Sequence, residues 1–521
     1  MAFAGMMLIS ACSVLFAAVS PDIITQTDAA IENLRKRNCT VTITKDGVPL
    51  SNTAVLIKQI NNDFGFGGCI ATIGFKGANG DSVKYSEAIR KYFDWATPEN
   101  EMKWTTTDGA DDYTDFGPGD YIVDWCNENG VKVRGHNLFW NEDVRWLPSW
   151  TYELSPEQLR SAMALHIDSM MTHYRGKVAH WDIINELIHY PQATHGTPEV
   201  TLFDSATADP DIFKWILSRA RKNDSLSKFV VNEYAIVEGQ DQQATTIDIF
   251  IDKMNRLLTD TSSFDITGLE GHFGAEVNRE KYLANIQRIS EGIPRKIWLT
   301  EVDFSIPVEE RADRTEELMR DCFANPNVGG LILWVWWNGN RWLESLTSVL
   351  VDSNFVETDM GERWRTLRDQ WKTNVNGATD AAAQVSFRGF QGEYLAMYND
   401  GTNNYSARFH LAPGTGDTAM TISVIDTVLS PSDGVVRRNG GRNMRSWFTC
   451  NGQRIGIDAS AMREPLFMYT YSVDGRLLSK VPFAIENRTI SLPKMVSSGC
   501  HIVRIGTNDK TVYSGRFFDV K

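Results

Sequence analysis

The sequence predicts a (β/α)8 TIM barrel with small appended β modules at the C-terminus, on three observations. Eight short apolar runs recur between residues 64 and 337, with helix-patterned stretches between them. Most of those runs turn polar or aromatic near their C-terminal ends. Past residue 375 the alternation stops and only strand-and-turn patterning remains. Strand and helix signals in alternation argue for a parallel sheet covered by helices. Eight such units over roughly 310 residues fit a closed barrel, whose usual range is about 200 to over 400. The alternative is an open doubly wound sheet, which would more often show a Gly-rich phosphate loop after its first strand. FGFGG (64–68) does not serve as one, because it lies inside a strand candidate.

The elements follow in order along 521 residues, too many for one ordinary core. The first twenty, MAFAGMMLISACSVLFAAVS, carry no charge and are expected to be a signal peptide (1–20) cleaved after Ala18-Val19-Ser20. The usual early Lys or Arg is missing, Ile9 to Cys12 resembles a lipoprotein cleavage site, and a membrane anchor is the rival reading. Residues 21–61 are expected to be an N-terminal β segment packed on the barrel, with two strands flanking a turn at Asp46-Gly47.

The barrel is placed at 62–375. Its strands are read at 64–71, 92–100, 132–140, 179–186, 228–234, 268–273, 296–304 and 330–337. Ser155-Pro156-Glu157 opens a helix with an N-cap and an early acid, and Leu159, Met163, His166, Ile167 and Met170 share one face of it. Other helices are read at 211–222, 245–258, 279–290 and 315–324. NGATDAAAQ (376–384) reads as a linker. Residues 385–445 read as a β module in which Phe387, Phe390, Tyr394, Tyr398 and Tyr405 could form a sugar-stacking surface; a plain spacer is the other reading. Residues 446–521 read as a last β module.

Composition narrows the function. The charge is −14 and the pI about 5.2, which argues against a nucleic-acid partner because phosphate binding needs a basic face. A neutral substrate fits better, and an aromatic share of 11% suits sugar stacking as well as a core. None of the seven cysteines forms a CxxC pair, so no zinc site is expected. Cys69 and Cys126 read as core; Cys450 and Cys500 either pair in a disulfide or stay as buried thiols.

Chemistry concentrates at the strand ends, where a barrel keeps its active site. AHWDIINE ends the fourth strand on Asn185-Glu186, and KIWLTEVDF carries Glu301 and Asp303 at the end of the seventh. Burying an unpaired carboxylate is costly, so both tips should face a cleft. Two carboxylates across one mouth are what glycosidic cleavage needs: one protonated to give a proton to the leaving oxygen, one ionised to attack the sugar or activate water.

These residues resemble glycoside hydrolase family 10, the endo-β-1,4-xylanases. HWDIINE is similar to its WDVVNE motif and LTEVD to its TELD motif. TPENEMKW (97–104) resembles its ENxxKW stretch, and RGHNLFW (134–140) resembles GHTLVW, closer still to the GHNIFW form of plant-type members. EGHF (270–273) and NEY (232–234) match as well, and the likeness covers about residues 60–372.

The resemblance implies that Glu186 is the general acid/base and Glu301 the nucleophile of a retaining double displacement on internal xylan bonds, with no cofactor and no metal. It implies that His272 bonds Glu301, that Asp303 orients His272, and that Asn185 bonds the sugar 2-hydroxyl. Glu99, Asn100 and Lys103 would hold the next sugar. His136 and Trp140 would line the cleavage subsite, Trp334 would be a stacking wall, and Tyr234 would lie on the leaving-group side. Trp342 would supply a loop tryptophan; Trp336 and Trp337 stay open between core and sugar stacking.

The chain departs from the family pattern at Asn141, Glu270 (glutamine in the common QSHF), Ala235 and the WVWWNGNRW stretch. Related glucanases, and a non-catalytic glycan-binding protein, are the rival functions. YSVDGRLLSK, ISLPKMVSSGCHIVRI and TVYSGRFF resemble the C-terminal sorting or attachment modules of secreted bacterial polysaccharide-degrading enzymes, which implies a secreted protein with secretion machinery or a cell surface as partner.

Overall fold

A computed structural model describes residues 19–426 apart from 78–80, 110–113, 141–145, 189–210, 240–243, 260–262 and 402, and beyond them the backbone of strands between 446 and 519. Residues 1–18 of the expected signal peptide lie outside the described residues, as does Asn141. Among the described residues no helix is long and apolar enough to cross a membrane.

The eight runs form eight parallel strands: Gly65–Ile70, Trp95–Pro98, Lys132–Gly135, His180–Asn185, Lys228–Glu233, Ile266–Leu269, Lys296–Val302 and Val328–Leu333. Each pairs with the next, and the eighth returns to the first with Leu331 opposite Phe66, closing the barrel. The third strand joins the fourth through Arg134 and His180. The strands read as apolar throughout because both faces are covered, the inner by side chains and the outer by helices. One helix follows each strand in turn: Asp81–Tyr92, Gly117–Glu128, Pro156–His173, Ile212–Asn223, Ala244–Leu257, Arg279–Gly292, Arg311–Ala324 and Asp359–Gln370.

Pro156–His173 shows how the sequence sets these helices. Ser155 Oγ accepts from the Gln158 amide while the Gln158 side chain accepts from the Ser155 amide, a reciprocal cap. The predicted face of Leu159, Met163, His166, Ile167 and Met170 is buried. At the base of the barrel Trp95, Val230, Ile266, Trp298 and Ile332 form a plug. The glycine-rich FGFGG stretch is part of this packing: a Cβ on Gly65 would run into the Trp298 ring.

Outside the barrel the expected divisions change. Residues 21–61 do not begin as a β segment. Pro21–Arg35 is a helix capped by Ser20, packed on Arg311–Ala324. Arg35 at its end donates to the carbonyls of Phe323, Asn325 and Val328 at 2.7–2.9 Å. The stretch 376–384 is not a free linker, since Asn374–Ala378 is a strand paired with Ala54–Asn62.

The strands before the barrel and those after it make one sheet. Lys36–Lys45 lies between Thr418–Asp426 and Gln384–Phe390, with Val41 opposite Met420 and Val385. Ala54–Asn62 pairs with Gly392–Asn399, which pairs with Asn404–Leu411. Their shared core includes Val41, Ile43, Val55, Ile57, Tyr394, Phe409 and Leu411. The expected sugar-stacking aromatics are spent on packing. Phe390, Tyr394 and Tyr405 are buried, Tyr394 stacks on Phe409 at 5.1 Å, and Phe387 and Tyr398 pack against the same core.

Cys39, Cys69, Cys126 and Cys322 are buried free thiols. Further along, strands 466–472, 477–483, 499–506 and 511–519 form one antiparallel sheet, and 446–450, 453–457 and 489–490 form a mixed one. The side chains of Cys450 and Cys500 lie outside the described ones.

This shared sheet makes a stability prediction. A chain ending after Lys372 bares Val41, Ile43, Val55 and Ile57, each worth about 1.5–3 kcal/mol when buried. It is expected to give little soluble folded protein, whereas a chain ending after Asp426 keeps its thermal transition. Soluble yield and melting curves of the two truncations check it.

Candidate active site

One ladder of backbone hydrogen bonds gathers the acidic residues at the C-terminal rim. The Glu186 amide donates to Asn232 O, that of Glu270 to Glu233 O and that of Glu301 to Glu270 O, at 2.8–3.0 Å. The ends of strands four to seven are therefore held side by side. At Gly268 on the sixth strand a Cβ would strike Asn232 Oδ1. Its absence leaves room for the Asn232 amide, which donates to Asn185 Oδ1 at 3.1 Å.

Glu186 is buried and turns out of its strand at φ 58°, the left-handed region that few non-glycine residues adopt. Its Oε2 accepts from the indole N–H of Trp140 at 2.6 Å. Trp140 is sandwiched against Trp146, centroids 4.3 Å apart and nearly parallel. Lys103 Nζ lies 4.5 Å from the Trp140 ring and 4.9 Å from the Trp146 ring, and donates to Asn100 Oδ1 at 2.9 Å. Burial lowers the pKa of Lys103, and Glu301, Glu99 and Glu186 oppose that shift, so this one ammonium feels both catalytic candidates. Glu99 Oε2 accepts from Asn340 Nδ2 at 2.7 Å.

Glu301, also buried, faces two imidazoles. His272 Nε2 is 3.6 Å from Glu301 Oε2, and His136 Nδ1 is 3.8 Å from Glu301 Oε1. His272 Nδ1 is 3.0 Å from Asp303 Oδ1, close enough for ion pairing although its N–H is not well aligned. Burial pushes the His272 pKa down. The carboxylates of Asp303, Glu270 and Glu301 outweigh burial and hold it well above the usual range. The Glu270 pKa is raised as well: burial and then the neighbouring Glu301 hold it well above the usual carboxyl value.

His136 Nδ1 pairs with Asp182 Oδ2 at 2.9 Å, and Arg134 holds Asp182 Oδ1 at 2.5 Å. Trp334 meets the His136 ring edge-to-face at 5.1 Å. Tyr234 follows the fifth strand, half-buried. The site residues read from the sequence thus all lie on this rim or its first loops. Trp342 reaches it too, donating to Asp303 Oδ2 at 2.7 Å with its ring 5.4 Å from His272. Trp336 belongs to the core, bonded to Cys69 O, and Trp337 stacks on Phe355.

Sequence reading passed over several supports. Glu233 accepts the amides of Ile188 and Tyr234, and Glu238 accepts that of His272 at 2.7 Å. Arg134 and Asp182 sit on neighbouring strands, Lys132–Gly135 and His180–Asn185, and nothing local in the sequence says that they pair; Trp146 had no motif to mark it. Two donor sets, His136–Asp182–Glu301 and Glu270–His272–Glu301, are tight enough to suit a metal ion. Arg134 on Asp182 and Asp303 on His272 give both sets protein partners.

Residues 56–362 match the family model described as glycosyl hydrolase family 10. The chain belongs to that family. It is 31% identical over 407 residues to the anti-sigma-I factor RsgI6 of Acetivibrio thermocellus, across 77% of this chain and 50% of that protein. It is 26% identical over 393 residues to endo-1,4-beta-xylanase 2 of Arabidopsis thaliana, across 75% of this chain and 35% of that one. The chain therefore spans half or less of the length of these relatives. The crystal structure of xylanase 10B from Thermotoga petrophila RKU-1 in complex with xylobiose shares the fold, with TM-score 0.51 at 22% identity over 59% of this chain and 94% of that one.

In this family 10 glycosyl hydrolase, Asp303→Asn should have two effects. The raised His272 pKa means that its charge stabilises the folded state fully below the unfolded value of about 6.5 and is lost as pH rises through the folded value. Removing the Asp303 charge lowers the folded value, so imidazole NMR shifts should report deprotonation at a lower pH and the stability loss should begin there.

Proposed function

We propose that this protein is an endo-acting, retaining hydrolase of the β-1,4 bonds of xylan. The observation that carries the reading is the pair Glu186 and Glu301 on one barrel rim, with Lys103 in electrostatic reach of both. Family membership and the similarity to proteins named endo-1,4-beta-xylanase support the substrate.

The chemistry follows from the partners. Glu301, oriented by His272, attacks the anomeric carbon as Glu186 gives its proton to the leaving oxygen. Glu186 then takes a proton from water, and that water displaces Glu301 with a second inversion. Trp140 and the Trp146 stack fix the Glu186 carboxyl, and Asn185, held by Asn232, sits where the sugar 2-hydroxyl would be bound. Glu99, Asn100 and Lys103 supply polar contacts to the adjoining sugar, while His136 and Trp334 wall the cleavage site. The uncharged, apolar first twenty residues support export, and the strand-turn pattern after residue 446 supports attachment or sorting outside the cell.

A second reading is a non-catalytic glycan-binding protein that has kept the pocket, and one relative is named an anti-sigma-I factor rather than a xylanase. The complete acid-and-nucleophile set favours hydrolysis.

Reducing-sugar release from xylan, mixed-linkage glucan and cellulose decides. The parent should cut xylan and first release the β anomer by NMR. Glu301→Ala should lose activity by about 10³-fold or more. Activity on glucan alone overturns the substrate, and xylan binding without turnover favours the binding protein.

A further inference from the structure

Glu270 directly follows the sixth barrel strand, where the common family motif has glutamine, and the extra charge has nowhere to go. The residue is 2% exposed. Its Oε2 is 3.4 Å from His272 Nε2, the same nitrogen that lies 3.6 Å from Glu301 Oε2. Its Oε1 is buried without a hydrogen-bond partner among the described residues.

The charged and titratable groups around it come from three directions. The seventh strand brings Glu301, and Asp303 behind His272. The fifth brings Glu233, with Glu238 in the loop after it bonded to the His272 amide. Across the mouth, His136 and Lys103 address Glu301. Among the described residues only His272 offers Glu270 a positive charge in contact, and Asp303 and Glu301 already share it. An ionised Glu270 would add an unmatched charge in a buried pocket.

We propose that Glu270 is a positioning residue that carries a proton in the active enzyme, leaving the His272 Nε2–H to Glu301. When Glu270 gives that proton to solvent, its carboxylate competes for the same N–H. Glu301, whose Oε2 lies 3.6 Å from that nitrogen, then loses its hold on the imidazolium that orients it for attack. The inference rests on the hydrolase reading. Burial and Glu301 both push the Glu270 pKa in the required direction.

The test is the pH dependence of kcat/KM for a dinitrophenyl β-xylobioside. Its leaving group needs no proton, so the limb does not report Glu186. The parent should lose activity as pH rises, and Glu270→Gln should abolish that limb or move it up by about one pH unit or more. Glu270→Asp, which keeps an ionisable group set back from His272, should retain the limb at a displaced pH, so the test survives if the glutamine variant does not fold. Profiles that superimpose on the parent's in either variant overturn this inference alone. An inert parent overturns the hydrolase reading and this inference with it.

Discussion

The site depends on how several carboxyl groups can be buried together at one barrel rim. Glu186, Glu233, Glu270, Glu301 and Asp303 are all buried and close along neighbouring strand ends. Like charges so placed repel strongly in a low-dielectric pocket. The structure answers with the His272 imidazole set among Asp303, Glu270 and Glu301, with His136 beside the other oxygen of Glu301, and with backbone amides and an indole. Glu233 is spent on two amides, and Glu186 on Trp140. Glu270 is left with burial and the neighbouring Glu301, which together raise its pKa well above the usual carboxyl range.

The remainder of the molecule keeps that rim still. Plug residues fill the base of the barrel, so its strands cannot slide. The chain enters and leaves the barrel through one sheet, where Lys36–Lys45 pairs in parallel with Thr418–Asp426 and Ala54–Asn62 pairs with Asn374–Ala378. The barrel's two ends are thereby tied together, and Arg35 fastens the entering helix to carbonyls beside the eighth strand.

Much of the fold was legible in the residues. Apolar runs with helix-patterned gaps are a local signal, and each of the eight runs became a barrel strand. The Ser155 cap and its helix face were legible for the same reason. Pairing between residues over three hundred positions apart was not legible. Residues 376–384 have a linker's composition, but their neighbours at 54–62 need a partner strand. Aromatic residues at 387–405 looked like a binding surface because composition does not say which face of a strand is covered.

By itself the sequence determined the barrel, the family motifs and which acidic residues end its strands, because periodicity and short motifs are properties of neighbouring residues. Only the tertiary structure decided that Glu270 shares a histidine with Glu301, that Trp146 backs Trp140, and that the strands flanking the barrel form one sheet. These depend on distances between residues far apart in the chain, and burial and charge take their values only once those distances are set.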